Sequence, residues 1–170
     1  MIHYMIDIET LGQGPESMVL SIAAVKFDQD QVLKSIELYP DLTEQQLQGQ
    51  KIEVNTLEWW INHKEILSTY LQKHRKNLTF CYYQLAFFLF EKGHQTQIWS
   101  KSPRFDLQIL ENLWKNQPHL WDYRSQGDVR AAEFKLKQKQ IPLTRPEQAH
   151  NSLSDCLAQV ANVQKLLQLS

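Results

Sequence analysis

Glycine and proline are scarce in this chain, five and six in 170 residues, and only two cysteines are present. So little turn-forming residue excludes a collagen-like or low-complexity protein, and no internal repeat stands out. Two cysteines, Cys81 and Cys156, are too few for a disulfide framework. His3, His63, His74, His94 and His119 show no spacing to cysteines or carboxylates that suits a zinc site, so they are expected to be surface or structural. Charge of one sign is also missing: 18 Lys and Arg against 19 Asp and Glu leave a net charge of −1. No apolar run reaches the roughly 20 residues of a membrane-spanning helix, and the longest, near residues 80–90, is interrupted by Gln84. Nothing reads as a secretory signal. The expected compartment is therefore the cytoplasm, with reduced core thiols and no membrane partner.

What is present suits one compact domain over residues 1–170: 42% hydrophobic and 11% aromatic residues can build a substantial core. The near-neutral total hides an uneven distribution. Residues 1–91 hold 7 basic and 12 acidic residues, whereas residues 92–146 hold 10 basic and 5 acidic. A locally positive segment is enough to attract an anionic partner. Lys101, Arg104, Arg124 and Arg130 belong to that segment, while Lys135, Lys137 and Lys139 read as the solvated face of a helix.

Periodicity gives the elements. Alternating or continuous apolar patterns predict strands at 2–8, 19–27 and 32–39, the last two joined by Asp28-Gln29-Asp30, which suggests an antiparallel meander. Helices are predicted at 41–48, 56–62, 65–73 and 78–92. A strand at 97–100 then leads into a helix at 105–116, a weak strand at 119–123 precedes a helix at 128–138, and the last helix runs over 152–167. This order suits an α/β fold with a mixed five-stranded sheet flanked by helices.

The chemistry lies in carboxylates. Asp7-Ile8-Glu9-Thr10 ends the first strand, and period-two alternation puts Asp7 and Glu9 on one side of the backbone. Like charges held so close oppose each other's ionisation, and a divalent cation relieves the conflict. Asp106 opens one helix and Asp155 lies in the first turn of the last. Each of these also suits plain helix capping. The four together favour a metal cluster.

These residues carry a resemblance. Asp7, Glu9, Asp106 and Asp155, in that order, resemble the motifs of the DEDD exonucleases of the RNase H-like superfamily. His150, five residues before Asp155 in His150-Asn151-Ser152-Leu153-Ser154-Asp155, resembles the histidine branch rather than the tyrosine branch, whose tyrosine position holds Asn151 here. The strings Thr56-Leu57-Glu58-Trp59-Trp60 and Ile98-Trp99-Ser100-Lys101-Ser102-Pro103-Arg104-Phe105-Asp106 are similar to the RNase T-like exoribonucleases and the exodeoxyribonuclease of T-even phages. The resemblance implies an RNase H-like fold and removal of nucleotides from the 3′ end of RNA or single-stranded DNA, with RNA favoured. It further implies two Mg²⁺ ions, with Mn²⁺ as an alternative, held by Asp7, Glu9, Asp106 and Asp155, with Asp7 bridging. His150 would be the general base, since imidazole exchanges protons near neutrality. A homodimer is compatible with it.

Five residues on an ideal helix turn through about 500°, so His150 and Asp155 cannot share a helical face. His150 is expected in the preceding loop, with Asn151 or Ser152 as N-cap, free to swing onto water once substrate binds. Thr10, Leu11, Lys101, Phe105 and Arg130 are the expected substrate contacts. Trp59 and Trp60 are further stacking candidates, although adjacent aromatics on an amphipathic helix usually divide between core and surface. Two other readings stay open: a catalytically silent nucleic-acid-binding module, and an endonuclease or phosphohydrolase on the same fold.

Overall fold

The computed structural model describes residues 1–90 and 96–169. His94 and the last two residues of the helix predicted over 78–92 lie outside the described residues.

Five strands form one sheet in the order β3-β2-β1-β4-β5. The first three are β1 (Ile2–Thr10), β2 (Val19–Phe27) and β3 (Val32–Leu38), paired antiparallel as a meander. β4 (Thr96–Ser100) and β5 (Gln126–Asp128) extend the sheet in parallel on the other side of β1. β1 and β2 are buried almost throughout because helices cover both faces, which is why they read as apolar runs. β3 is an exposed edge, and Lys34 and Glu37 there discourage pairing with another chain.

Alternation along β1 sorts its side chains. Tyr4, Ile6 and Ile8 face a core shared with α4 (Leu78–Leu89) and α5 (Asp106–Leu113). Met5 faces the other core, where Cys156, Val160 and Val163 of α7 (Ser152–Leu167) meet Val129 and Ala132 of α6 (Val129–Gln138). Asp7 and Glu9 continue the Met5 series and so point toward the α7 side. A third cluster, Leu11, Met18, Leu20, Trp60 and Tyr70, seats α2 (Val54–Asn62) and α3 (Lys64–Leu71). The short α1 (Leu42–Leu47) starts at Asp41, whose side chain accepts from the Glu44 amide. Among the described residues no helix is long and apolar enough to cross a membrane.

The fifth strand is not at 119–123. Leu120 and Trp121 pack on the core as irregular chain, and Asp122 caps a single 3₁₀ turn at Tyr123–Ser125. The strand that follows is three residues long, and only Gly127 in it is buried. A Cβ on Gly127 would stand 2.6 Å from the Trp99 ring, so β5 needs glycine to approach β4. A Gln-Gly-Asp strand has no apolar alternation to announce it. β1, for its part, runs two residues beyond its predicted end and carries both Asp7 and Glu9 within the ladder.

Candidate active site

Four acidic side chains converge where β1, α5 and α7 meet. Carboxylate oxygens of Asp7, Glu9 and Asp155 all lie within 4.8 Å of one another. Asp106, at the start of α5 and 4% exposed, stands outside that trio, yet its charge reaches Asp7 and Glu9. It accepts a hydrogen bond from the Ser102 amide at 3.2 Å. Asp7 accepts from the Gln159 side-chain amide at 2.8 Å.

The electrostatics are those of acids crowded away from water. Burial, reinforced by Asp106 and Glu9, holds the Asp7 carboxyl well above the usual range. Burial, then the charges of Asp155 and Asp106, pushes Glu9 from its ordinary 4.5 to about 8. Asp106 rises to about 7 through burial, against hydrogen bonds from the backbone that favour its charged form. Asp155 is raised by burial and partly relieved by His150 and Lys101. Among the described residues no salt bridge reaches any of the four. All the donors are hard oxygens, so a divalent cation fits this cluster by its chemistry.

Asn151 caps α7, its side chain accepting from the Ser154 amide at 2.9 Å. His150 precedes the cap with a left-handed φ of 61°. Its ring meets Trp59 edge-on at 4.5 Å, and Trp59 stacks on His63 at 4.0 Å on its way into an open cleft. That cleft, about 430 Å³, is lined by Trp59, Phe105, Thr10, Asn55 and Thr56, and also by Glu9 and His150. These two residues join the carboxylate cluster to the cleft.

The sequence-derived candidates divide. Thr10 lines the cleft, but its hydroxyl is engaged with the Gly12 carbonyl at 2.6 Å. Phe105 is half-buried at the cleft wall, and Lys101 does not line the cleft, although its charge reaches Asp155. Leu11 does not line the cleft: the ladder shifts register between Glu9 and Thr10, and Leu11 sinks into the third core cluster. Arg130 is exposed on α6, held by its backbone to the Asp128 cap, and is likewise absent from the cleft wall. Both tryptophans line the cleft, but Trp60 is buried and donates to the Thr10 carbonyl at 2.8 Å, while Trp59 is the more exposed of the two.

Gln159 escaped the sequence reading. Its place four residues after Asp155 puts both on one helical face, and that spacing was the available signal. Its other amide atom, Oε1, is buried and unpartnered. Tyr70, Asn55 and Gln13 gave no signal, because only the fold brings α2, α3 and the β1–β2 loop to this end of the sheet.

In fold the chain is similar to E. coli exonuclease I. One structure of that enzyme, a zinc-bound complex with single-stranded DNA, superposes at a TM-score of 0.70 with 15% identity over 99% of this chain and 41% of the other. A product-bound structure of exonuclease I gives 0.68, again at 15% identity, over 99% and 43%. The cell-death related nuclease CRN-4 gives 0.58 at 15% identity, over 99% and 64%. The chain thus spans about two fifths of the length of exonuclease I, and its mixed five-stranded sheet with flanking helices is the RNase H-like fold of these exonucleases. No curated protein matches it in sequence. Residues 2–167 do match the sequence model of the 3′-5′ exoribonuclease Rv2179c-like domain, and the chain belongs to that family.

Proposed function

We propose that this protein is a metal-dependent 3′-5′ exonuclease of single-stranded nucleic acid, acting on RNA in preference to DNA. Asp7, Glu9, Asp106 and Asp155 hold two divalent cations, and His150 is the general base. The observation that carries this reading is the carboxylate cluster itself. Acids buried against one another, with no ion pair among the described residues, hold charge that a cation offsets. Mg²⁺ and Mn²⁺ both suit such oxygen donors. The chemistry those ions supply when bound is acidification of water and neutralisation of charge on the leaving 3′ oxygen.

The chain's own residues do the rest. His150 takes the proton from the attacking water, a role its position between cleft and carboxylates supports. Trp59 and Phe105, the aromatic walls, hold terminal bases by stacking, which tolerates any base. Lys101, whose positive charge reaches Asp155, meets the negative charge of the phosphate. The exoribonuclease description of the family supports RNA as the preferred strand.

A gel time course on 5′-labelled RNA and DNA of one sequence tests this. The expected result is a ladder shortening from the 3′ end, faster on RNA, dependent on Mg²⁺ or Mn²⁺ and abolished by EDTA or Asp7→Ala. Cleavage of a circular strand would identify an endonuclease instead, and no cleavage of either strand would overturn the assignment.

A further inference from the structure

The loop that carries His150 is tied to a helix 80 residues away in sequence. The Tyr70 hydroxyl on α3 donates to the His150 carbonyl at 2.8 Å and accepts from the Ser152 amide at 3.1 Å. It therefore clasps both sides of Asn151, the cap of α7. Ser152 is fully buried, and its own hydroxyl accepts from Ser21 on β2 at 3.1 Å. Tyr70 is itself fixed. It is 3% exposed, its ring lies edge-on to Trp60 at 5.9 Å, and its carbonyl accepts from Arg75 at 3.0 Å. Arg75 also donates to the carbonyls of Leu20 and Pro40, at 3.1 and 2.9 Å, which anchors the end of α3 to the sheet.

The clasp acts where the backbone needs holding. His150 has a φ of 61°, a left-handed conformation that residues with a side chain adopt at a small energetic cost, so contacts that hold it there matter. Relaxation to the extended region would redirect the imidazole away from the carboxylates. Trp59, on the neighbouring α2, meets the same imidazole. Backbone and ring of His150 are thus both referenced to the α2–α3 pair rather than to α7 alone.

We propose that Tyr70 is a positioning residue for His150: its hydroxyl locks the His150–Ser152 turn in the conformation that turns the imidazole toward Asp155 and the cleft. This rests on the reading of His150 as general base. A tyrosine serving only to satisfy buried backbone groups would cost stability when altered, without affecting His150 in particular.

Tyr70→Phe keeps the ring and removes the clasp. General-base catalysis is worth about 10²–10⁴-fold, and a misplaced base forfeits part of it, so kcat should fall roughly 10-fold or more. KM and Mn²⁺ affinity should stay within about twofold, because the carboxylates and the cleft wall are untouched. In a His150→Ala background the same exchange should cost no further kcat, as expected of two residues acting as one unit. Equal losses in both backgrounds would reduce Tyr70 to a structural role. Imidazole NMR reads positioning without turnover: Tyr70→Phe should shift and broaden the His150 ring signals relative to those of the distant His119, and unchanged His150 signals would overturn the proposal. An inactive wild-type protein with His150 signals that do respond would instead defeat the general-base reading while leaving the clasp in place.

Discussion

The metal-free protein should become less stable as pH rises, and Glu9→Gln should cancel a measurable part of that loss. Glu9 ionises near 4.5 when unfolded and near 8 when folded, chiefly through burial and then through Asp155 and Asp106. Below pH 4.5 both states keep the proton and Glu9 contributes nothing to the balance. Between 4.5 and 8 the unfolded chain releases its proton while the folded chain retains it, so each pH unit weakens folding. Above pH 8 the effect is complete. At ~1.36 kcal/mol per pH unit, the displacement from 4.5 to about 8 amounts to about 5 kcal/mol as a ceiling. For a chain of this size, ~2–4 °C of Tm accompanies each kcal/mol, so half the ceiling corresponds to roughly 5–10 °C. Thermal melts in EDTA at pH 5 and pH 8 measure it. Wild type should melt lower at pH 8, Glu9→Gln should melt several degrees above wild type there, and at pH 5 the gap should shrink to about 3 °C or less. Mg²⁺ should raise wild type at pH 8 and leave the variant nearly unmoved. A wild-type Tm that is the same at both pH values in EDTA would refute the reasoning, as would a variant no more stable than wild type at pH 8.

Other perturbations separate the remaining parts. Gln159→Leu removes the hydrogen bond to Asp7 and an unpartnered buried oxygen together, so stability should change little while Mn²⁺ affinity falls about 10-fold, the lower end of losses on removing a partner of a metal ligand. Calorimetric titration reads this, and unchanged affinity would detach Gln159 from the site. Trp59→Ala should raise KM on a short oligonucleotide by ~5–150-fold, matching ~1–3 kcal/mol per stacked base, with kcat less affected. An unchanged KM would remove Trp59 from the substrate path. Gly127→Ala drives a methyl into the buried Trp99 ring, and overpacking of ~1–3 kcal/mol should lower Tm by about 2–12 °C. A Tm within a degree of wild type would mean that β5 does not require its glycine.

Much of the architecture was legible because its signals are local. β1 and β2 announce themselves as apolar runs and α7 by its helical period, and the α7 boundaries at Ser152 and Leu167 follow from a capping residue and an apolar stripe. β5 did not, since a three-residue strand around Gly127 is selected by its closeness to Trp99, a contact between residues 28 apart. The same division runs through the site. Sequence spacing alone set Asp7 beside Glu9, because strand side chains alternate, and separated His150 from the face of Asp155, because helix geometry forbids their sharing it. What only the tertiary structure decided is how these groups face one another. The register of β1 against β2 sends Leu11 into the core and leaves Thr10 at the cleft. The packing of α2 and α3 sets Trp59 against His150 and brings Tyr70 under its backbone, and the approach of α7 to β1 hands Asp7 a hydrogen bond from Gln159. Side-chain type and spacing determine which chemistry a chain can carry; distances between residues remote in sequence arise only when several elements pack at once, and no single segment encodes them.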